Sequence, residues 1–450
     1  MTPFKLTDEL LEEIRQLIAD GKNAELQSMM KEFHYADIAE IADEMEVEEA
    51  TYLIKLLDSE KTSDILAEMH EDIREAVLKN LTAKEIAGEL SELDTDDAAD
   101  IINELPKELV QEVISEIEDR EHAKDIVDLL RYEEDSAGGL MAKELVKVNE
   151  NWTVTTCVKE MRAQAENVTR VHSIYVVDDE GRLKGRLSLK DLLTASTKTH
   201  IKDVYIAKVD AVNVNEKGEE VAKIMSKYDL EAIPVVDEIG RLVGRITIDD
   251  IVDVIREEAD KDYQMAAGIS QDVEVNDSIW ILTRARLPWL ILGLLGGLSA
   301  AAIMGTFEDM ISKHAVLFFF TPLIAAMAGN VGVQSSAIVV QGLANDDLKG
   351  SVSTHLMKEM LLALLNGFIL AVLLLIFTWI WKGAFATALA ISLSLVVVIV
   401  VAGLIGTFIP LFLHKRNIDP AIATGPFITT SNDIFGILIY FWIAKMILGI

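Results

Sequence analysis

The sequence predicts a multidomain protein: an all-α superhelical N domain, an α/β tandem repeat pair, a long connecting helix and an α-helical transmembrane domain of five spans. Three observations predict it. Charge is segregated: the 450 residues sum to −33, yet from Ile281 onward nine Lys+Arg stand against seven Asp+Glu, so residues 1–280 hold the acidic excess. A 21-residue segment recurs without gaps. Five apolar stretches follow Arg286, each close to or above the roughly 20 residues a helix needs to cross hydrocarbon.

The N-terminal part, 1–131, reads as helices. No Gly lies between Gly21 and Gly88, and DIAEIADEM, SDILAEM, KEIAGEL and DAADIINEL, from Asp37, Ser63, Lys84 and Asp97, look like loosely repeated short helices. Asp96, Asp97 and Asp100 fall within about one helical turn, a spacing that suits a hard cation and equally a solvated face. So acidic a body repels nucleic acid and anionic lipid and attracts cations. The first 20 residues lack the basic and apolar regions of a signal peptide. Cys157 is the only cysteine, which excludes an intrachain disulfide and a thiolate metal cluster.

Residues 132–253 contain the repeat. Ser173–Leu193 aligns with Ala232–Val252, and ten of the 21 positions are identical. Each copy reads as strand, turn at Gly181 or Gly240, strand, then a helix start at which Ser188 with Asp191, or Thr247 with Asp250, fits an N-cap box. Gly185-Ser188-Asp191 and Gly244-Thr247-Asp250 reproduce the Gly-x-x-Thr/Ser-x-x-Asp motif, so the pair resembles tandem cystathionine-β-synthase (CBS) domains, copies about 138–195 and 200–253. That resemblance implies a regulatory pair able to bind ATP or another adenine nucleotide, with Ser188 and Thr247 toward phosphate and Asp191 and Asp250 toward ribose.

The acidic stretch 254–282 predicts a connecting helix, with Gly268 its first strong breaker. Residues 283–450 hold the spans, roughly Leu287–Met304, Ala315–Leu343, Met360–Trp381, Ala384–Leu413 and Ala421–Ile450. Arg284, Arg286, Lys349, Lys358, Lys415 and Arg416 share one flank, which by the positive-inside rule places the N-terminal body in the cytoplasm and the C-terminus outside an inner (plasma) membrane. Trp280, Trp289, Trp379, Trp381 and Trp442 sit near span ends, as an aromatic belt requires. Asp433 is the only charged residue between Ala421 and Ala444, and no Lys or Arg at comparable depth can pair with it. An intramembrane carboxylate is costly and marks a functional site by default. Small and polar residues at Ala328–Ser336, and Pro420, Gly425, Pro426 and Asn432-Asp433, predict that the second and fifth spans are interrupted, a pointer to an ion path.

With these residues in place the whole chain resembles the MgtE family of magnesium channels and transporters. The marks are Tyr132–Met141 (YEEDSAGGLM), the two CBS motifs, the Gly-Asn-x-Gly-x-Gln-Ser run at Gly329–Ser335 and Asn432–Tyr440 (NDIFGILIY). The resemblance implies a homodimer with the ion path on its axis, pore residues Asp433, Asn330, Gly329 and Gln334, and closure by cytosolic Mg2+. It implies regulatory ligands at Asp64, Asp96, Asp100, Asp229, Asp250, Asp253, Glu258 and Asp419. Lys217 and Lys261 stand where the family has acids, and Val333-Gln334 replaces an Asn-Gln pair.

The leading expectation is therefore a Mg2+-selective channel driven by the ion's own gradient. A broader transporter of Mn2+, Co2+ or Ni2+ is disfavoured by the lack of Cys in the spans and of His near Asp433, which leaves hard oxygen ligands. A non-conducting Mg2+ or nucleotide sensor leaves Asp433 unexplained. An enzyme is not expected, because no segment is left for a catalytic domain.

Overall fold

The computed structural model describes residues 4–449 except 166, 167, 169, 272, 274, 276, 345–347, 349, 417 and 424. The chain divides into two compact units, Met1–Arg256 and Glu257–Ile450.

The first unit opens with helices α1 (Asp8–Ala19), α2 (Asn23–Met30), α3 (Tyr35–Asp43), α4 (Val47–Leu56), α5 (Ser59–Glu68), α6 (Glu71–Leu78), α7 (Ala83–Leu90), α8 (Thr95–Glu104), α9 (Lys107–Glu116) and α10 (Arg120–Leu129). Each is only two to three turns long, too short to be stable alone. They persist because α3, α5, α7 and α9 stack in succession, as α4 does on α6 and α8 on α10. Ile38, Leu53, Ile65, Ile86, Ile101 and Ile126 from successive helices are fully buried in one continuous core. Side chains stop the short helices from fraying: Thr82 Oγ1 accepts from the Glu85 amide at 3.2 Å, and the Glu85 carboxylate accepts from the Thr82 amide at 2.7 Å. The expected superhelix is present.

The repeat folds twice into the same three-stranded sheet. Strands β1 (Val146–Asn149), β2 (Ile174–Val177) and β3 (Leu183–Leu187) form one, and β4 (Val212–Asn213), β5 (Ala232–Val236) and β6 (Leu242–Thr247) the other. In each the first pair is parallel, as a helical crossover requires, through α11 (Val154–Ala165) or α13 (Gly218–Tyr228). The second pair is an antiparallel hairpin, with Ile174 opposite Leu187 and Ile233 opposite Ile246. Both hairpins shift register at the same place, Val176/Val177 and Val235/Val236, and both turn at a glycine of positive φ, Gly181 (79°) and Gly240 (82°). Helix α12 (Leu189–Thr194) follows β3, and α14 (Ile248–Ala266) follows β6.

The predicted connecting helix therefore starts earlier and ends sooner than 254–282. It stops at Ala266, and Gly268 turns the chain at φ 83°.

In the second unit α15 (Ile279–Thr306), the short α16 (Glu308–Lys313), α17 (Ala315–Ala344), α18 (Val352–Lys382), α19 (Phe385–His414) and α20 (Gly425–Leu448) follow. Five of these are long and apolar enough to span a membrane. Helix α19 is the most enclosed and packs on α17, α18 and α20. Its Ala390, Ser394, Ala402 and Gly406 keep backbones close, as expected where lipid supplies no hydrophobic drive and packing must hold helices together.

Candidate functional site

Two helices build the membrane site. On α17, Ala325, Ala326, Gly329, Asn330, Val333 and Gln334 recur every three to four residues and so share one face. On α20, Thr429 and Asp433 are one turn apart and meet that face. Together these eight residues line a cavity of about 460 Å³. All four pore candidates, Asp433, Asn330, Gly329 and Gln334, are thus brought to one groove. Gly329 lies close to both: a methyl there would come within 3.3 Å of Thr429 Cγ2 and 4.0 Å of Asp433 Oδ1. No basic side chain pairs with Asp433 among the described residues.

Of the expected interruptions, the fifth stretch does break at its start, where Pro420–Ala423 forms a separate 3-10 turn and α20 begins only at Gly425, φ 48°, but the breaks expected at Ala328–Ser336 and Asn432-Asp433 are not found. Helices α17 and α20 run unbroken through Gly329–Ser336 and Asn432-Asp433. The small residues serve helix contact instead. A methyl at Gly332 would overlap the Asn432 side-chain amide, and one at Gly406 would overlap the Gly332 carbonyl, so α17 and α19 meet at backbone distance while α20 seats the Asn432 side chain on Gly332. Asn432 is 1 % exposed, and neither its Nδ2 nor its Oδ1 has a hydrogen-bond partner.

Sequence reasoning missed Glu359. It precedes the stretch drawn from Met360, but α18 begins at Val352 and carries it into the bundle. Ser335 Oγ donates to Glu359 Oε1 at 2.6 Å, and the Gly403 surface lies against the same oxygen. Directly after Lys358, which reads as a basic flank, this acid looks like part of a charged span end, and that hides it.

The second cluster lies in the first unit. It gathers Asp64 and Glu68 on α5, Asp96, Asp97 and Asp100 on α8, and Asp250 and Asp253 on α14. Burial, Asp97, Asp250, Asp94 and Glu144 push the Asp96 carboxyl well above its ordinary value. Asp97 and Asp100 keep solvent contact, yet their surroundings and neighbouring acids push each up to about 7. Burial, with Glu60 and Asp94, raises Asp64; burial, with Asp253 and Asp64, raises Glu68. Asp250 is raised by burial and Asp249, although Thr247 and Arg245 oppose the shift. Glu68, Asp94 and Glu144 were not foreseen as members. Among the described residues no three of these acids converge closely enough to hold a bare metal ion.

Arg245, 5 % exposed, ties this face together by donating to the Glu144 carbonyl and to Asp94 Oδ2, the latter at 3.2 Å. Glu144 Oε2 accepts from Thr95 Oγ1 at 2.9 Å and from the Thr95 amide at 3.2 Å, capping α8. Of the other expected ligands, Asp229 closes α13 in the left-handed region at φ 50°. Glu258 and Asp419 lie in the second unit: Glu258 pairs with Lys261 Nζ at 2.9 Å, and Asp419 Oδ1 accepts from the Ala421 amide at 2.8 Å.

The two CBS motifs differ in the structure. Thr247 gives its amide (3.0 Å) and hydroxyl (2.7 Å) to Asp250 Oδ2, so this pair is spent as a cap, as the sequence also allowed. Ser188 stands at the N-cap of α12 without a side-chain capping bond, which corrects the expected box there; with Asp191 it remains half-exposed.

Within the second unit the end of α14 meets the start of α20. Gly268 lies against the Pro426 ring, and Gly425, φ 48°, lies on the Ala266 carbonyl. Asp433 is two turns further along α20.

Comparisons with known proteins agree with this layout. The family profile described as a divalent cation transporter, MgtE, matches residues 321–443; the MgtE intracellular N domain matches 33–135; and the CBS domain matches 137–198 and 201–257. Magnesium transporter MgtE of Bacillus subtilis (strain 168) is 34 % identical over 97 % of this chain and 97 % of its own. The protein of the same name from Thermus thermophilus is 32 % identical over 98 % and 99 %. A crystal structure of the cytosolic domain of the Mg2+ channel MgtE in complex with ATP, 35 % identical, superposes on 54 % of this chain and 99 % of that one with a TM-score of 0.50. On near full-length identity to these relatives, this chain belongs to the MgtE family.

Proposed function

We propose that this multi-pass membrane protein is a Mg2+-selective channel, a path for passive influx, that cytosolic Mg2+ closes. The observation that carries the reading is the groove in which Asp433, Asn330, Gln334 and Gly329 come together between two membrane helices. Relatives named magnesium transporters support the cargo. Mg2+ dehydrates reluctantly and keeps most of its water, held by one or two carboxylates. Asp433 supplies such a carboxylate, and Asn330 and Gln334 supply amides for the water shell. A homodimer would bring two Asp433 to one axis and complete the ring.

The sensor is the acidic face of α5, α8 and α14. Its carboxylates repel one another at the range where a hydrated cation fits, so bound Mg2+ favours the docked arrangement of the first unit. The contact of Gly268 and Ala266 with Pro426 and Gly425 is the route by which movement of α14 reaches the helix that bears Asp433. A two-state element needs roughly 5 kcal/mol of differential binding to switch fully, within reach of several weak sites acting together. An adenine nucleotide, as in the related ATP complex, would use Ser188 and Asp191, because Thr247 and Asp250 are engaged with each other. The basic flanks set the cytosolic side, with the C-terminus outside.

The deciding experiment is Mg2+ influx into proteoliposomes loaded with a Mg2+ dye, comparing the protein with Asp433→Ala. Flux that disappears in the variant supports the path. Equal flux in both moves the path elsewhere, and no flux in either, with folded protein, supports a sensor.

A further inference from the structure

A second groove of the membrane unit is unrelated to the Asp433 groove. It has a volume of about 620 Å³ and is lined by Val401, Ile405 and Phe408 of α19, Leu356 of α18, and Phe427 and Phe435 of α20, among others. Ser431 is its one polar side chain. Phe408, Phe427 and Phe435 are 47 %, 38 % and 48 % exposed, so the groove opens outward from the bundle. Its volume falls in the range of pockets that hold small ligands.

One wall continues to the membrane surface. Phe408 stacks on Phe412, ring centroids 5.8 Å apart and 26° between planes, and the Arg416 guanidinium sits 5.2 Å from the centre of the Phe412 ring. The three residues are spaced four apart and form one stripe from the groove to a cationic end. Lys415 and Arg416 are exposed there, beyond the last turn of α19. Leu356 and Phe427 lie within two turns of the ends of α18 and α20 that adjoin it, so the groove occupies the leaflet on that side.

We propose that this groove holds one acyl chain of an anionic phospholipid whose phosphate is met by Lys415 and Arg416. An acyl chain gains little in passing from lipid to an apolar wall, so headgroup charge and fit set the affinity. Each basic side chain near the surface favours an anionic lipid by about five-fold. Asp419, three residues past Arg416, reduces this, and the net preference is on the order of ten-fold.

The test uses the full-length protein in mixed bilayer nanodiscs containing phosphatidylglycerol and phosphatidylcholine with identical chains, and reads retained lipid by native mass spectrometry. The expected result is phosphatidylglycerol retained on the order of ten-fold over phosphatidylcholine. Lys415→Gln with Arg416→Gln, exposed positions that leave the fold intact, should bring the ratio near parity. Ile405→Trp, which fills the groove, should lower retention of both lipids. Parity in the unmodified protein, an unchanged ratio in the double variant, or unchanged retention in Ile405→Trp overturns the proposal. So does efficient cross-linking of Phe435→Cys between two copies in a Cys157→Ser background, which would make the groove an interface between copies.

Discussion

Asp97 and Asp100 make the first unit sensitive to pH, and the sign is fixed by their surroundings. Both carboxyls titrate near 7 when folded, against an ordinary value of 3.8. Between those values the folded state binds more protons than the unfolded one, so stability falls as pH rises and levels off above about 7. In a group shielded from water, a rise from 3.8 to about 7 corresponds to about 4 kcal/mol. Both side chains reach solvent, and screening reduces this to about 1 kcal/mol each. About two-thirds of that change falls between pH 5 and 7, so from pH 5 to 8 the pair costs roughly 1.3 kcal/mol, or about 3–5 °C in the melting temperature of a unit of this size. Differential scanning calorimetry of the full-length protein in EDTA, following the transition of the first unit, measures it. Asp97→Asn with Asp100→Asn should make the slope shallower and raise the melting temperature at pH 8. Asp96, Asp250, Asp64 and Glu68 are shifted in the same direction and keep part of the slope. At pH 8, Mg2+ should recover the lost degrees in the unmodified protein and fewer in the double variant. A melting temperature flat from pH 5 to 8, or a slope untouched by the double substitution, would refute the argument.

Three other substitutions probe the remaining geometry. Arg245→Gln removes the guanidinium that joins the Glu144 carbonyl to Asp94 and should cost about 1–3 kcal/mol, exposing 131–143 to protease in EDTA; Mg2+ should restore protection. Gly332→Leu forces Asn432 off α17, an overpacking of about 1–3 kcal/mol, and should lower Mg2+ flux more than ten-fold in protein that still inserts. Gly425→Ala strains a left-handed residue seated on Ala266 by about 1–3 kcal/mol, and should weaken inhibition by cytosolic Mg2+ while flux at low Mg2+ persists.

By itself the sequence determined the architecture, because periodicity, repetition and hydropathy are local properties. The helical spacing from Asp37 to Leu105, the 21-residue repeat and the five apolar stretches each have one economical fold. Asp433 was legible for the same reason: a lone charge in an apolar run needs no partner to be noticed. Tertiary structure decided which small residues pack and which line a groove. Gly329 faces Asp433 while Gly332 receives Asn432, although they are three residues apart, and only the rotation of two packed helices separates those roles. Tertiary structure also spent Thr247 on Asp250 while leaving Ser188 free, from motifs nearly identical in sequence. It gathered Glu68, Asp94 and Glu144 with α8, since long-range electrostatic neighbours have no signature in spacing along a chain.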